Sequence, residues 1–208
     1  MGALRRVIRQ AAAGLSALMW LSSAGAHAVY QGAGDFYAGM LHPLTSPEHV
    51  LPMLVLGALA GQNGRMRCEF VLWAFPAAMA AGACIALSVP DLRGVLLFNV
   101  ASAVLLGSLL AAALSLPSWL ILIFSVAFGL THGYANGLAI MGQIRPGVFI
   151  AGMVAASFIL IAYTVAATSF LLRLRPTWIA IAVRVAGSWV AAIGLLSLSL
   201  TQRALLFS

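Results

Sequence analysis

The sequence predicts an all-α, polytopic membrane protein, a bundle of six transmembrane helices after an N-terminal signal peptide, with the first helix discontinuous. Three observations carry that expectation. The 208 residues are 63% hydrophobic and only 7% charged, against roughly 25% charged in a soluble domain. Apolar runs long enough for spans of about 20 residues are separated by short connections of Gly, Pro and Arg. The chain also begins with a basic, then apolar, then small-residue pattern. Composition excludes a water-exposed globule, and the length leaves no room for a soluble partner domain.

Residues 1–28 carry Arg5, Arg6 and Arg9, an apolar run from Ala11 to Leu21, and small residues up to Ala26 and Ala28. This is the A-x-A pattern of a secretory cleavage site. Cleavage after Ala28 starts the mature chain at Val29 and leaves residues 29–208 as the transmembrane domain; an uncleaved first helix is the other reading. Six apolar segments follow, near 36–61, 69–89, 93–116, 118–142, 146–172 and 177–200. Between them lie breakers such as Asn63-Gly64, Pro90-Asp91, Pro117-Ser118, Arg145-Pro146 and Arg175-Pro176. Only helices or closed barrels satisfy the backbone in lipid, and these runs are too long for barrel strands.

All eleven basic residues are arginine, and they sit at the ends of apolar runs rather than on one face, so they point to orientation in the bilayer and not to nucleic acid. With Val29 outside the cytoplasm, the pairs Arg65/Arg67 and Arg173/Arg175 face inward and Arg93, Arg145 and Arg203 outward. That bias has the sign expected of a bacterial-type inner (cytoplasmic) membrane protein. Arg184, inside the last segment, is expected to snorkel to the headgroups. Cys68 and Cys84 fall on one helix about 24 Å apart, too far for a disulfide, and read as core residues.

Polar chemistry is concentrated in His42-Pro43-Leu44-Thr45-Ser46-Pro47-Glu48-His49, followed by Met53 and Gly57. Ser46 suits an N-cap and Pro47 the first helical position. A helix from Pro47 to Gly61 spans only about 22 Å, short of the roughly 30 Å hydrocarbon core. The expected arrangement is a Phe36–Met40 stub, a Leu41–Ser46 turn below the membrane surface, and then the helix. Discontinuous helices of this kind hold ion sites in transporters. His49, Met53 and Gly57 recur at i, i+4, i+8, and imidazole with thioether on one stripe suits a late first-row divalent ion. His42 arrives from the preceding turn, and Glu48 can ligate or support a ligand. The bland alternative is a capped histidine with an ordinary core methionine.

A second constellation runs from Phe128 to Gly137. His132 and Asn136 are i, i+4 neighbours, and Gly129, Gly133 and Gly137 form a small-residue stripe that admits a close helix. A packing stripe with one hydrogen-bonded histidine is the structural alternative. Depth favours convergence: His49 lies about 18 Å from Gly61 and His132 about 21 Å from Ser118, both measured from the inner side. The candidate metal residues are therefore His42, Glu48, His49, Met53, His132 and Asn136.

These residues resemble the HupE/UreJ family of membrane proteins found with hydrogenase and urease systems. The family hallmark H-P-x-x-G-x-D-H-x-x-x-M-x-x-x-G is matched by His42, Pro43, Glu48, His49, Met53 and Gly57, with Ser46 for its glycine and Glu48 for its aspartate. The later motif H-G-x-A-H-G-x-E is matched by His132, Gly133, Ala135 and Gly137; Asn136 replaces its second histidine and Ala139 its acid. The resemblance implies a nickel or cobalt secondary permease supplying metalloenzyme maturation. It implies Ni²⁺ or Co²⁺ as the transported ion and no permanent cofactor. Its implied partners are the lipid bilayer and a metallochaperone or hydrogenase/urease maturation proteins. The alternative is a non-transporting membrane subunit that binds or senses metal or assists assembly. An enzyme is not expected: no Walker, G-x-S-x-G or H-E-x-x-H motif is present.

Overall fold

A computed structural model describes residues 34–89, 92, 94–174 and 176–206. The proposed signal segment and its cleavage point lie outside the described residues. Among the described residues there are seven helices: α1 (Asp35–Thr45), α2 (Pro47–Asn63), α3 (Arg65–Ser88), α4 (Val95–Ala111), α5 (Ser118–Gly137), α6 (Pro146–Arg173) and α7 (Thr177–Leu206). Helices α3, α5, α6 and α7 contain stretches long and apolar enough to cross a membrane, and α4 is a shorter apolar helix. The protein is an all-helical, multi-pass membrane protein.

The first apolar segment is broken, more sharply than expected. Helix α1 does not stop at Met40 but runs on to Thr45, so only Ser46 is extended (φ −105°, ψ 109°). Pro47 disfavours a helical Ser46, and the Thr45 hydroxyl donates back to the Leu41 carbonyl at 3.0 Å. Ser46 occupies the N-cap position without a side-chain cap; its carbonyl instead accepts from His49 and Val50 N–H at 2.9 and 3.0 Å.

Helix α4 ends five residues before the expected limit. Ala113 adopts φ +52°, the Leu114 N–H reaches the Leu109 carbonyl at 3.3 Å, and the Ala113 N–H reaches Leu110 at 3.0 Å. This pairing is a Schellman termination with alanine where glycine is usual. The Arg184 Nε on α7 donates to the Ala111 carbonyl at 2.9 Å. That side chain thus closes a helix end at an exposed position. The connection expected between the segments near 36–61 and 69–89 likewise shrinks to Gly64, whose φ of +104° lets α3 start at Arg65. Cys68 is half-buried and packs against the edge of the core, whereas Cys84 is exposed and is not a core residue; the outer helix faces meet lipid, where apolar and thiol groups need no cover.

Helix α2 touches each of the other six and forms the centre of the bundle. Its neighbours pair through glycines. On α5, Gly133 abuts the Met79 carbonyl of α3, and a Cβ on Gly129 would lie 2.7 Å from the Phe75 carbonyl. Gly107 on α4 meets Gly187 and Ala191 on α7, and Gly39 on α1 abuts Phe149 on α6. Gly57 and Gly61 seat α2 closely on Thr164 and Thr168 of α6.

Two polar clamps mark the opposite ends. At one, the buried Asn63 Oδ1 accepts the Leu116 N–H at 2.9 Å while its Nδ2 donates to the Leu59 carbonyl at 2.7 Å. At the other, Arg145 Nε donates to Asp35 Oδ2 at 2.8 Å, and the Tyr134 hydroxyl bridges the Val89 carbonyl and the Leu92 N–H at 2.7 and 2.9 Å. The interior between them is filled by Met53, Leu56, Phe75, Met79, Leu106 and Ile161, all fully buried.

Candidate metal centre

The Ser46 break sets the direction of α2, and the first turn after it carries the site. His49 enters the bundle and is 5% exposed, while His132 on α5 is fully buried. Their Nδ1 atoms lie 2.9 Å apart across 83 residues of chain, with the rings nearly perpendicular (82°) and centroids at 5.2 Å. Two facing imidazole nitrogens at this distance share one proton on the line between them. Because His49 lies in the first turn of α2 and His132 near the last turn of α5, the pair sits in the half of the bundle nearer Arg145.

A third helix, α4, completes the surroundings of His132. Ser102 Oγ lies 3.0 Å from His132 Nε2 and donates to the Asn99 carbonyl at 2.5 Å. Asn99 Nδ2 in turn donates to the Thr131 carbonyl at 3.2 Å, and Asn136 Nδ2 to the His132 carbonyl at 2.7 Å. Both amides thus spend their donors on backbone beside His132. Their oxygens, Asn99 Oδ1 and Asn136 Oδ1, are buried and accept no hydrogen bond. Buried polar atoms are nearly always paired, so two unpartnered oxygens within this network are available to a water or a cation.

The sequence-predicted residues divide. His49 and His132 are in contact, and the His42 ring lies 6.4 Å from that of His49 and 6.0 Å from Phe149. Met53 is fully buried one turn along α2 from His49. Asn136 adjoins the pair through the His132 backbone. Glu48 is not brought in: it is exposed and lines a separate, largely apolar cavity of about 220 Å³ with Leu51, Leu96, Val100 and Ile193. Consecutive helical residues are about 100° apart around the axis, so turning His49 inward turns Glu48 out. Among the described residues no three His, Cys, Asp or Glu side chains are placed to hold one ion; a metal at the pair would take two imidazoles plus neutral oxygen or sulfur donors. Ser102 and Asn99 escaped the sequence motifs. Their signal is an i, i+3 polar pair within an otherwise apolar helix, which in lipid calls for an explanation.

The chain matches the sequence model of the family described as HupE / UreJ protein over residues 15–197. It is 30% identical over 149 residues to "Protein HupE" of Rhizobium leguminosarum bv. viciae, an alignment covering 70% of this chain and 76% of that protein. No solved structure matches. The family match takes in α1 through α6 and most of α7, including both histidines of the pair. On this evidence the chain belongs to the HupE/UreJ family.

Proposed function

We propose that this membrane protein is a secondary permease for a divalent transition-metal ion, nickel or cobalt, with the His49–His132 pair as its central binding point. The observation that carries this reading is the 2.9 Å approach of two imidazole nitrogens from distant helices inside a lipid-facing bundle. Polar ligands in such a setting are costly and mark sites or pathways. Two nitrogens this close can both reach one ion at metal–nitrogen distances of about 2.1 Å, and imidazole suits nickel, cobalt, copper and zinc.

The donor set also suits passage. With Glu48 turned away, the pair and its neighbours are neutral, so a divalent ion is bound without a compensating carboxylate. Conduction needs sites that bind without trapping. The buried pair represents a closed state, and release requires α2 and α5 to separate around it. Membrane potential favours inward movement of a cation. In this reading the protein lies in a bacterial cytoplasmic membrane with its mature N-terminus outside. It delivers the ion to a metallochaperone or to hydrogenase or urease maturation proteins.

The same neutrality favours one other reading, a subunit that binds metal without moving it. Radioactive nickel uptake into proteoliposomes separates the two. Saturable flux in wild type, lost in His49→Ala and His132→Ala, supports the permease. Binding without saturable flux supports the non-transporting subunit.

A further inference from the structure

We propose that Ser102 is a positioning residue that selects the tautomer of His132 and so presents its Nδ1 lone pair to His49. This rests on reading the histidine pair as the metal centre, but the tautomer is a property of the metal-free protein and is measured independently.

A serine hydroxyl has one proton to donate. Ser102 commits it to the Asn99 carbonyl, 2.5 Å away, an oxygen that can only accept. Toward His132 Nε2, 3.0 Å away, Ser102 Oγ is therefore the acceptor, and Nε2 carries the proton. In a neutral ring the other nitrogen, Nδ1, is then bare, and it is the nitrogen that faces His49 Nδ1. Ligating histidines are oriented in this way by a partner on the non-ligating nitrogen. Here the partner comes from α4, a helix that contributes no imidazole to the pair. Asn99 fixes the arrangement from both sides, because its carbonyl holds the Ser102 proton and its side chain ties α4 to the Thr131 carbonyl at 3.2 Å. Ser102 is 1% exposed and His132 fully buried, so the protein must supply this partner.

Removing the hydroxyl leaves Nε2–H buried without an acceptor. Orphaned buried N–H groups are rarer than under-satisfied acceptors, so the proton is expected to move to His132 Nδ1, which then replaces His49 Nδ1 as the donor on the line between the two rings. The test is ¹⁵N NMR of histidine-labelled, metal-free protein in lipid nanodiscs, with His132→Gln used to assign the signals. Wild type is expected to show His132 protonated at Nε2 and bare at Nδ1. Ser102→Ala is expected to shift His132 toward the Nδ1–H form, and Ser102→Thr to restore the wild-type pattern. Equilibrium dialysis with Ni²⁺ alone is expected to show about 10- to 100-fold weaker binding for Ser102→Ala, with recovery in Ser102→Thr.

A wild-type His132 protonated at Nδ1, or an Ala variant with the wild-type tautomer, overturns the proposal. A tautomer that shifts as expected while nickel binds equally to wild type, Ser102→Ala and His49→Ala upholds Ser102 as the residue that positions His132. That result overturns instead the reading of the pair as a metal centre.

Discussion

Glu48 and His49 are adjacent in the chain and face opposite ways: His49 meets His132 in the interior, while Glu48 opens onto an apolar cavity between α2, α4 and α7. The only acidic residue in the His42–Met53 stretch therefore does not join the histidines. Glu48→Gln is expected to change nickel affinity by less than about threefold, under ~0.7 kcal/mol. Equilibrium dialysis of wild type and variant checks this, and a tenfold loss would put the carboxylate back at the ion.

Asn63 anchors the far end of α2. Its side chain accepts the Leu116 N–H and donates to the Leu59 and Leu114 carbonyls at 2.7 and 3.4 Å. Asn63→Ala strands a buried N–H, which costs about 1–3 kcal/mol. Reversible unfolding in mixed micelles should show that loss, with nickel affinity unchanged because the histidine pair lies toward the other end.

Ala113 holds φ +52° at the close of α4, a conformation that costs a residue with a Cβ about 1–2 kcal/mol. Ala113→Gly removes that penalty but adds freedom to the unfolded chain. A net stabilisation of about 0.5–1 kcal/mol is expected by the same unfolding assay. Destabilisation would mean that the methyl group packs usefully there.

The break at Ser46 was legible because proline restricts the residue before it, and the meeting of His49 with His132 followed from counting rises along two helices. The end of α4 was not legible: a Schellman termination is signalled by glycine, and this one uses Ala113. Nor was the inward turn of His49 over Glu48, since helical spacing says which residues share a face but not which face points to the core. Ser102 and Asn99 carry no motif. Their role depends on α4 lying beside α5, which only tertiary packing establishes.

At the Arg145 end, the side-chain and backbone hydrogen bonds from Arg145 hold the Asp35 carboxyl below its ordinary 3.8. A carboxylate whose folded pKa is depressed contributes stability above its unfolded pKa and loses it as pH falls through the folded value. Wild-type stability should therefore drop on acidification below about pH 4 more steeply than that of Asp35→Asn. Parallel pH profiles for the two proteins would remove this contact from the acid response.

When an ion arrives, the imidazoles of His49 and His132 are expected to bind it together. X-ray absorption of nickel-loaded protein in nanodiscs counts them through their outer-ring scattering. Two imidazoles are expected in wild type and one in each of His49→Ala and His132→Ala. A spectrum without imidazole, or one that neither substitution alters, would contradict the assignment.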